Sequence, residues 1–170
     1  MKKMSKGFYL GSYLGAGILG LIFFGVEVNV WPLLVIGIAL MVYAFVVYCM
    51  FIHKSWASIQ DGHARAGPCK ALGFLFIPFF NFYWIFEAFW GFAKDYNSYV
   101  ARLGIQAALK LPEGLFLAYC ILLLVLLLVS VIPFVNFVTV IANFIIFAIM
   151  IGKVCDAINA LPEPSLKQDT

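Results

Sequence analysis

Between residues 115 and 151 the chain carries no Asp, Glu, Lys or Arg. Such a run cannot face water, and it is too long for one helical crossing of a ~30 Å hydrocarbon core at ~1.5 Å per residue. Pro133 and Asn136 stand near its middle, so it is predicted to fold as a helical hairpin, 115–132 and 134–151. Pro112 and Glu113 supply favourable first-turn chemistry for the first of these helices. Two further apolar runs, 8–26 and 30–52, each have the length of a single span. Glu27 and Asn29 separate them, and His53, Lys54 and Trp56 close the second.

The rest of the composition agrees. Hydrophobic residues make up 65% of the chain and charged residues 11%, with a mean hydropathy of +1.03. A soluble domain carries about 25% charged residues, so these values exclude a soluble enzyme, a disordered tail and a nucleic-acid binder. Cys49, Cys69, Cys120 and Cys155 form no C-x-x-C pair and read as apolar fillers. Lys2, Lys3 and Lys6 precede the first apolar run without a small-x-small cleavage pattern after it, so an uncleaved first span is expected.

A fifth run, 71–93, is ambiguous, and the cations decide it. If it crosses the membrane, Lys and Arg divide almost evenly between the two faces. If it enters and leaves on one side, Lys2, Lys3, Lys6, Lys54, Arg65, Lys70, Lys94, Arg102, Lys110, Lys153 and Lys167 all fall on that side. The positive-inside rule selects the second arrangement. The expected fold is therefore all-α: a single polytopic membrane domain over 1–170. It has four transmembrane helices plus one re-entrant, half-depth helical hairpin, with both termini cytoplasmic. Five full spans is the alternative.

An internal repeat points the same way. Ile77-Pro78-Phe79-Phe80-Asn81-Phe82 recurs as Ile132-Pro133-Phe134-Val135-Asn136-Phe137. Gly91-x-x-x-Asp95 recurs as Gly152-x-x-x-Asp156, with Asn97 and Asn159 beyond, and Leu111-Pro112-Glu113 recurs as Leu161-Pro162-Glu163. The two units cover 71–113 and 127–163. After its proline the first copy has a helix of about 24 Å and the second one of about 33 Å, so only the second is long enough to cross.

Few residues could carry chemistry. Glu87 falls within an apolar run, where a carboxylate costs roughly 2.5–3.5 kcal/mol unless it faces the bundle interior. By helical spacing it shares a face with Tyr83, Gly91, Lys94 and Ser98, and Asn81 lies just upstream. Asn136, Thr139 and Asn143 form a similar stripe in the second copy. Glu87, Asn81, Asn136, Thr139 and Asn143 are thus candidates for a polar track; the competing reading is interhelical hydrogen bonding. Gly7, Gly11 and Gly15 recur at four-residue spacing, the pattern of a close helix-packing face. His53 reads as a polar end-cap rather than a haem or pigment ligand. Asp61, His63 and Cys69 match no standard metal spacing, and Lys94/Asp95 and Lys153/Asp156 read as boundary anchors. No cofactor or metal is expected, and no catalytic motif is present.

One stretch carries a resemblance: Trp56-x-x-Ile59-Gln60-Asp61-Gly62, Gly67-Pro68-x-Lys70-Ala71, Ile77-Pro78-Phe79-x-Asn81-x-Tyr83-Trp84 and Lys94-Asp95-x-Asn97. It resembles a group of bacterial multi-pass membrane proteins with an IPFxNxYW motif, some of which carry an N-terminal GYF-like domain. That group has no assigned activity, so the resemblance implies only a bacterial inner-membrane setting and this topology. The sequence points to a non-enzymatic scaffold or accessory subunit, with the bilayer and a homo-oligomer or other membrane subunits as partners and no nucleic acid. The alternative is a channel or transporter with a path around Glu87.

Overall fold

The computed structural model describes residues 3–25, 31–105, 109–129 and 132–162. Lys2, Lys167, Glu163 and the Glu27 and Asn29 boundary lie outside those residues. The described residues form helices and no strand: α1 (Lys6–Gly25), α2 (Trp31–Ala57), α3 (Pro68–Gly73), a 3₁₀ turn (Phe74–Phe76), α4 (Phe80–Ile85), a π turn (Phe86–Gly91), α5 (Phe92–Arg102), α6 (Glu113–Leu128) and α7 (Pro133–Asn159). Three of them contain stretches long and apolar enough to span a membrane: Lys6–Phe23, Trp31–Ala57 and Val135–Asn159. This is a helical membrane protein. The fourth expected span is shorter than its apolar run, because α6 stops at Leu128. Ile132 must stay extended ahead of Pro133 (φ −103°, ψ 101°), and α7 starts on that proline.

The core sits at one end of the bundle. On α2 burial gathers in the last turns, at Val47, Phe51, Ile52, Ser55 and Trp56, whereas Val35, Ile36, Ile38 and Val42 are exposed. Tyr9, Phe116, Phe147 and Met150 complete the same core from α1, α6 and α7. Exposed apolar side chains over the rest of each helix fit a hydrocarbon solvent.

Close approach between helices comes from glycines, though not from those the spacing singled out. A Cβ on Gly17 would stand 2.6 Å from the Phe144 ring, and one on Gly20 would stand 3.1 Å from Met41 Cγ and 3.5 Å from the Gly37 carbonyl. Gly7, Gly11 and Gly15 point away from the chain's other helices, and a Cβ on any of them would meet nothing within 4 Å. The reason is register. The face of α1 that meets α2 and α7 carries Ala16, Gly17 and Gly20, whereas the i, i+4 stripe from Gly7 lies on another face.

The run 71–93 is broken into a short hairpin. Its limbs are joined by aromatic rings and by a hydrogen bond from Trp84 Nε1 to the Ala71 carbonyl (3.0 Å). The Phe74 ring lies 4.8 Å from Trp84 and 5.4 Å from Phe80. The turn itself is tight: the Phe80 N–H donates to Pro78 O at 2.7 Å, and the Asn81 N–H donates to Ile77 O at 3.0 Å. Between them Phe79 is forced to φ +64°, ψ −45°, the strained positive-φ form of a γ-turn. Its side chain is 86% exposed, so little packing offsets that strain. Phe79→Gly is expected to raise stability by about 1 kcal/mol, read as a higher unfolding temperature of the full chain in detergent.

Candidate functional site

The connection between α2 and α3 brings Arg65 onto the helix that holds Glu87. Its backbone N–H and Nε donate to the two carboxylate oxygens of Asp95 at 2.9 and 2.8 Å, and Nη1 donates to Glu87 Oε2 at 2.8 Å. Tyr83 donates its hydroxyl to the other Glu87 oxygen at 3.2 Å. Glu87, Gly91 and Asp95 follow one another at four-residue spacing, so both acids share a face two turns long. The glycine between them leaves room for the guanidinium: a Cβ on Gly91 would stand 3.0 Å from Glu87 Oε2 and 3.3 Å from Arg65 Nη1. Burial pulls the Arg65 pKa down, but the hydrogen bonds and charges of Glu87 and Asp95 outweigh it and the net shift is upward. The cation is permanent, and its planar fork suits two carboxylates.

Glu87 lies in the π turn, and the carbonyls beside it receive donors from other helices. Trp56 Nε1 donates to Ala88 O at 3.1 Å, and Cys120 Sγ donates to Ile85 O at 3.5 Å. Such outside donors satisfy backbone groups at the point where the i→i+5 turn disturbs the regular ladder.

The second Gly-x-x-x-Asp motif performs the same local task. The Lys6 side chain runs past Gly152, where a Cβ would be 3.6 Å from its Cε, and ends on Asp156 at 2.7 Å. The neighbouring asparagines match as well. Asn97 clamps the backbone of Leu111, donating to its carbonyl at 3.0 Å and accepting from its N–H at 2.8 Å. Asn159 clamps Met4 in the same two-way fashion, each bond 2.8 Å. Each clamped residue lies two positions ahead of a helix, α6 or α1.

The five candidates for a polar track fall into separate environments. Glu87 belongs to the Arg65 clamp. Asn81 lines a groove of about 290 Å³ between α2, the hairpin and α6, and its Oδ1 has no partner among the described residues. Asn143 lines another cavity, of about 270 Å³, with Tyr13, Met41, Tyr119 and Phe144. The Thr139 hydroxyl donates to Val135 O at 2.7 Å, Asn143 Nδ2 donates to Thr139 O at 3.3 Å, and Asn143 Oδ1 is unpartnered among the described residues. Asn136 is half-buried near the start of α7. The two cavities share only Leu123, and Glu87 lines neither.

Asp61, His63, His53 and Cys69 are accounted for locally. Asp61 takes Arg102 at 2.7 Å and the His63 N–H at 2.9 Å, while His53 Nε2 is 3.8 Å from Cys69 Sγ. Among the described residues no three His, Cys, Asp or Glu side chains converge as a metal site would require. The residue that composition and spacing leave unmarked is Arg65. The available signal was a non-titrating cation only one loop away from two acids on one helix face. No protein-family model, curated protein or solved structure matches the chain.

Arg65→Met leaves both Glu87 and Asp95 without their cation and is expected to destabilise the fold by about 1.5–2.5 kcal/mol, since the pair is partly solvent-screened. Glu87→Gln keeps the Asp95 fork and is expected to cost about 1 kcal/mol. Thermal unfolding in detergent checks the order; equal losses would contradict Asp95 as the main anchor of the loop. A second expectation concerns Asp61, which the Arg102 hydrogen bond and then the His63 N–H hold below the ordinary carboxylate range. A folded pKa below the unfolded one gives stability that is complete above the ordinary range and lost as pH falls through the folded value. Wild type and Asp61→Asn should therefore differ in unfolding temperature at neutral pH and converge in that acid window.

Proposed function

We propose that this chain is a non-enzymatic subunit of a membrane assembly, built to pack against a second copy of itself or another membrane subunit in a bacterial inner membrane. The observation that carries this reading is the uncovered face of α1, where Gly7, Gly11 and Gly15 leave the helix backbone open to a neighbour. The polar groups support it from the other side. Arg65, Glu87, Asp95, Lys6, Asp156, Asn97 and Asn159 are all engaged in holding the chain's own segments together. A conducting path would need Glu87, Asn81 and Asn143 on one surface; Asn81 and Asn143 line different cavities and Glu87 lines neither.

In this reading α1, α2, α6 and α7 cross the bilayer, the α3–α4 hairpin enters half-way, and both termini are cytoplasmic. Every Lys and Arg then lies on one face. Phe76, just before the turn of the hairpin, meets Phe45 with ring centres 6.0 Å apart. Phe45 is about 21 Å along α2 from Trp31, so in this arrangement Phe76 stands about 9 Å into a ~30 Å core from the cytoplasmic side, with the turn at Phe79 beyond it. At about 24 Å, α6 is the short member.

Gly11→Leu tests the association surface separately from the fold. No atom of the chain's other helices faces Gly11, so unfolding temperature should be unchanged while self-association weakens by about 1–3 kcal/mol through overpacking. Sedimentation in a mild detergent reads the loss, and a Gly11→Cys chain should form a disulfide-linked pair on oxidation. A strictly monomeric wild type with no cross-link and no co-purifying membrane subunit would overturn the reading.

A further inference from the structure

One stripe of α2 faces the hairpin: Phe45, Cys49 and His53, with Val46, Met50 and Lys54 one position on. Two adjoining grooves of about 360 and 290 Å³ run along it and share Phe45, Cys49 and Leu72. Their walls are almost wholly apolar, closed on the far side by Leu72, Leu75 and Phe76. Phe45, Val46 and Met50 are 50%, 48% and 41% exposed, so the slot opens sideways, where acyl chains lie when α2 is in a bilayer.

The polar groups of the first groove stand at its α3 end, and they are basic. His53 and Lys54 line it there. The Lys54 ammonium lies 5.7 Å from the centre of the Tyr9 ring and has no carboxylate partner among the described residues. An apolar slot with a cation at one end complements a molecule with a chain and an anionic head. We propose that this groove binds one anionic phospholipid, its acyl chain against Phe45, Cys49 and Leu72 and its phosphate at Lys54. The α1 face leaves this stripe free, so the inference goes beyond the subunit reading and does not require it.

Native mass spectrometry of the full-length protein in detergent provides the test, with phosphatidylglycerol and phosphatidylcholine of identical chains as probes. Phosphatidylglycerol should be retained in preference. Lys54→Gln should lower its retention about fivefold, leave phosphatidylcholine unchanged, and be rescued by Lys54→Arg. Filling the slot with Cys49→Trp should remove both lipids, and glycerol 3-phosphate should not compete. Equal retention of the two lipids by the wild type would overturn the proposal, as would unchanged phosphatidylglycerol retention in Lys54→Gln. Full displacement by glycerol 3-phosphate would show an anion site without a chain slot. A Met50→Cys chain that cross-links to a second copy would put protein in the groove instead. Because Lys54 is exposed, Lys54→Gln carries little risk to folding, and the outcome does not depend on whether α1 self-associates.

Discussion

Arg65 lying across Glu87 and Asp95 is the contact on which the arrangement of the hairpin depends. The segment 58–67 buries Ile59 and Ala66 in the core but is otherwise largely polar, and α3 begins immediately after it at Pro68. The fork onto Asp95 fixes where that segment lands, and the backbone N–H of Arg65 adds a second bond to the same carboxylate. With the loop pinned, α3 descends beside α2, the chain turns at Phe79, and α4 returns toward its starting point. The guanidinium supplies both acids with a planar, hydrogen-bonding counter-charge. Gly91 supplies the remaining requirement, a floor low enough for the cation to lie flat.

The same construction occurs twice, and the second instance closes the molecule. Asp156 and Asn159 near the end of α7 grip Lys6 and Met4 at the start of α1, while Asp95 and Asn97 on α5 grip Arg65 and Leu111. Both clamps stand at the core end of the bundle, where Trp56, Tyr96 and Phe116 are buried. Tyr96 ties the two together by donating to the Ala157 carbonyl at 2.8 Å. The opposite ends of the helices have few internal partners. In water that would be a weakness, but in a bilayer lipid fills the space at no cost in exposed apolar surface.

What could be read in the sequence was whatever depends on period and on charge scarcity. The apolar runs located the helices, the prolines at 78 and 133 located two turns, and the Gly-Asp-Asn spacing marked positions that do equivalent work. Partnership across the fold could not be read there. Glu87 looked like a solitary carboxylate because its cation comes from a loop with no helical period. Gly7, Gly11 and Gly15 have the stronger spacing, yet Gly17 and Gly20 make the close contacts, since the facing helix rather than the pattern selects the face. Spacing alone grouped the polar candidates, whereas Asn81 and Asn143 line different cavities and Glu87 faces Arg65. The early end of α6 and the strain at Phe79 are local backbone outcomes with no counterpart in hydropathy.

Six of the cations fall into two groups, three on acids and three on aromatic rings. Lys6, Arg65 and Arg102 take up Asp156, Glu87, Asp95 and Asp61. Lys54, Lys70 and Lys94 lie instead over aromatic faces, those of Tyr9, Phe74 and Trp90, at 5.7, 5.5 and 3.2 Å from the ring centres. A ring holds an ammonium weakly and from one side, leaving its other hydrogens free to donate. Aromatic rings and lysines are also the residues that settle at a membrane boundary. The first population therefore determines how the chain folds onto itself. The second holds positive charge against aromatic faces, without an ion-paired carboxylate among the described residues.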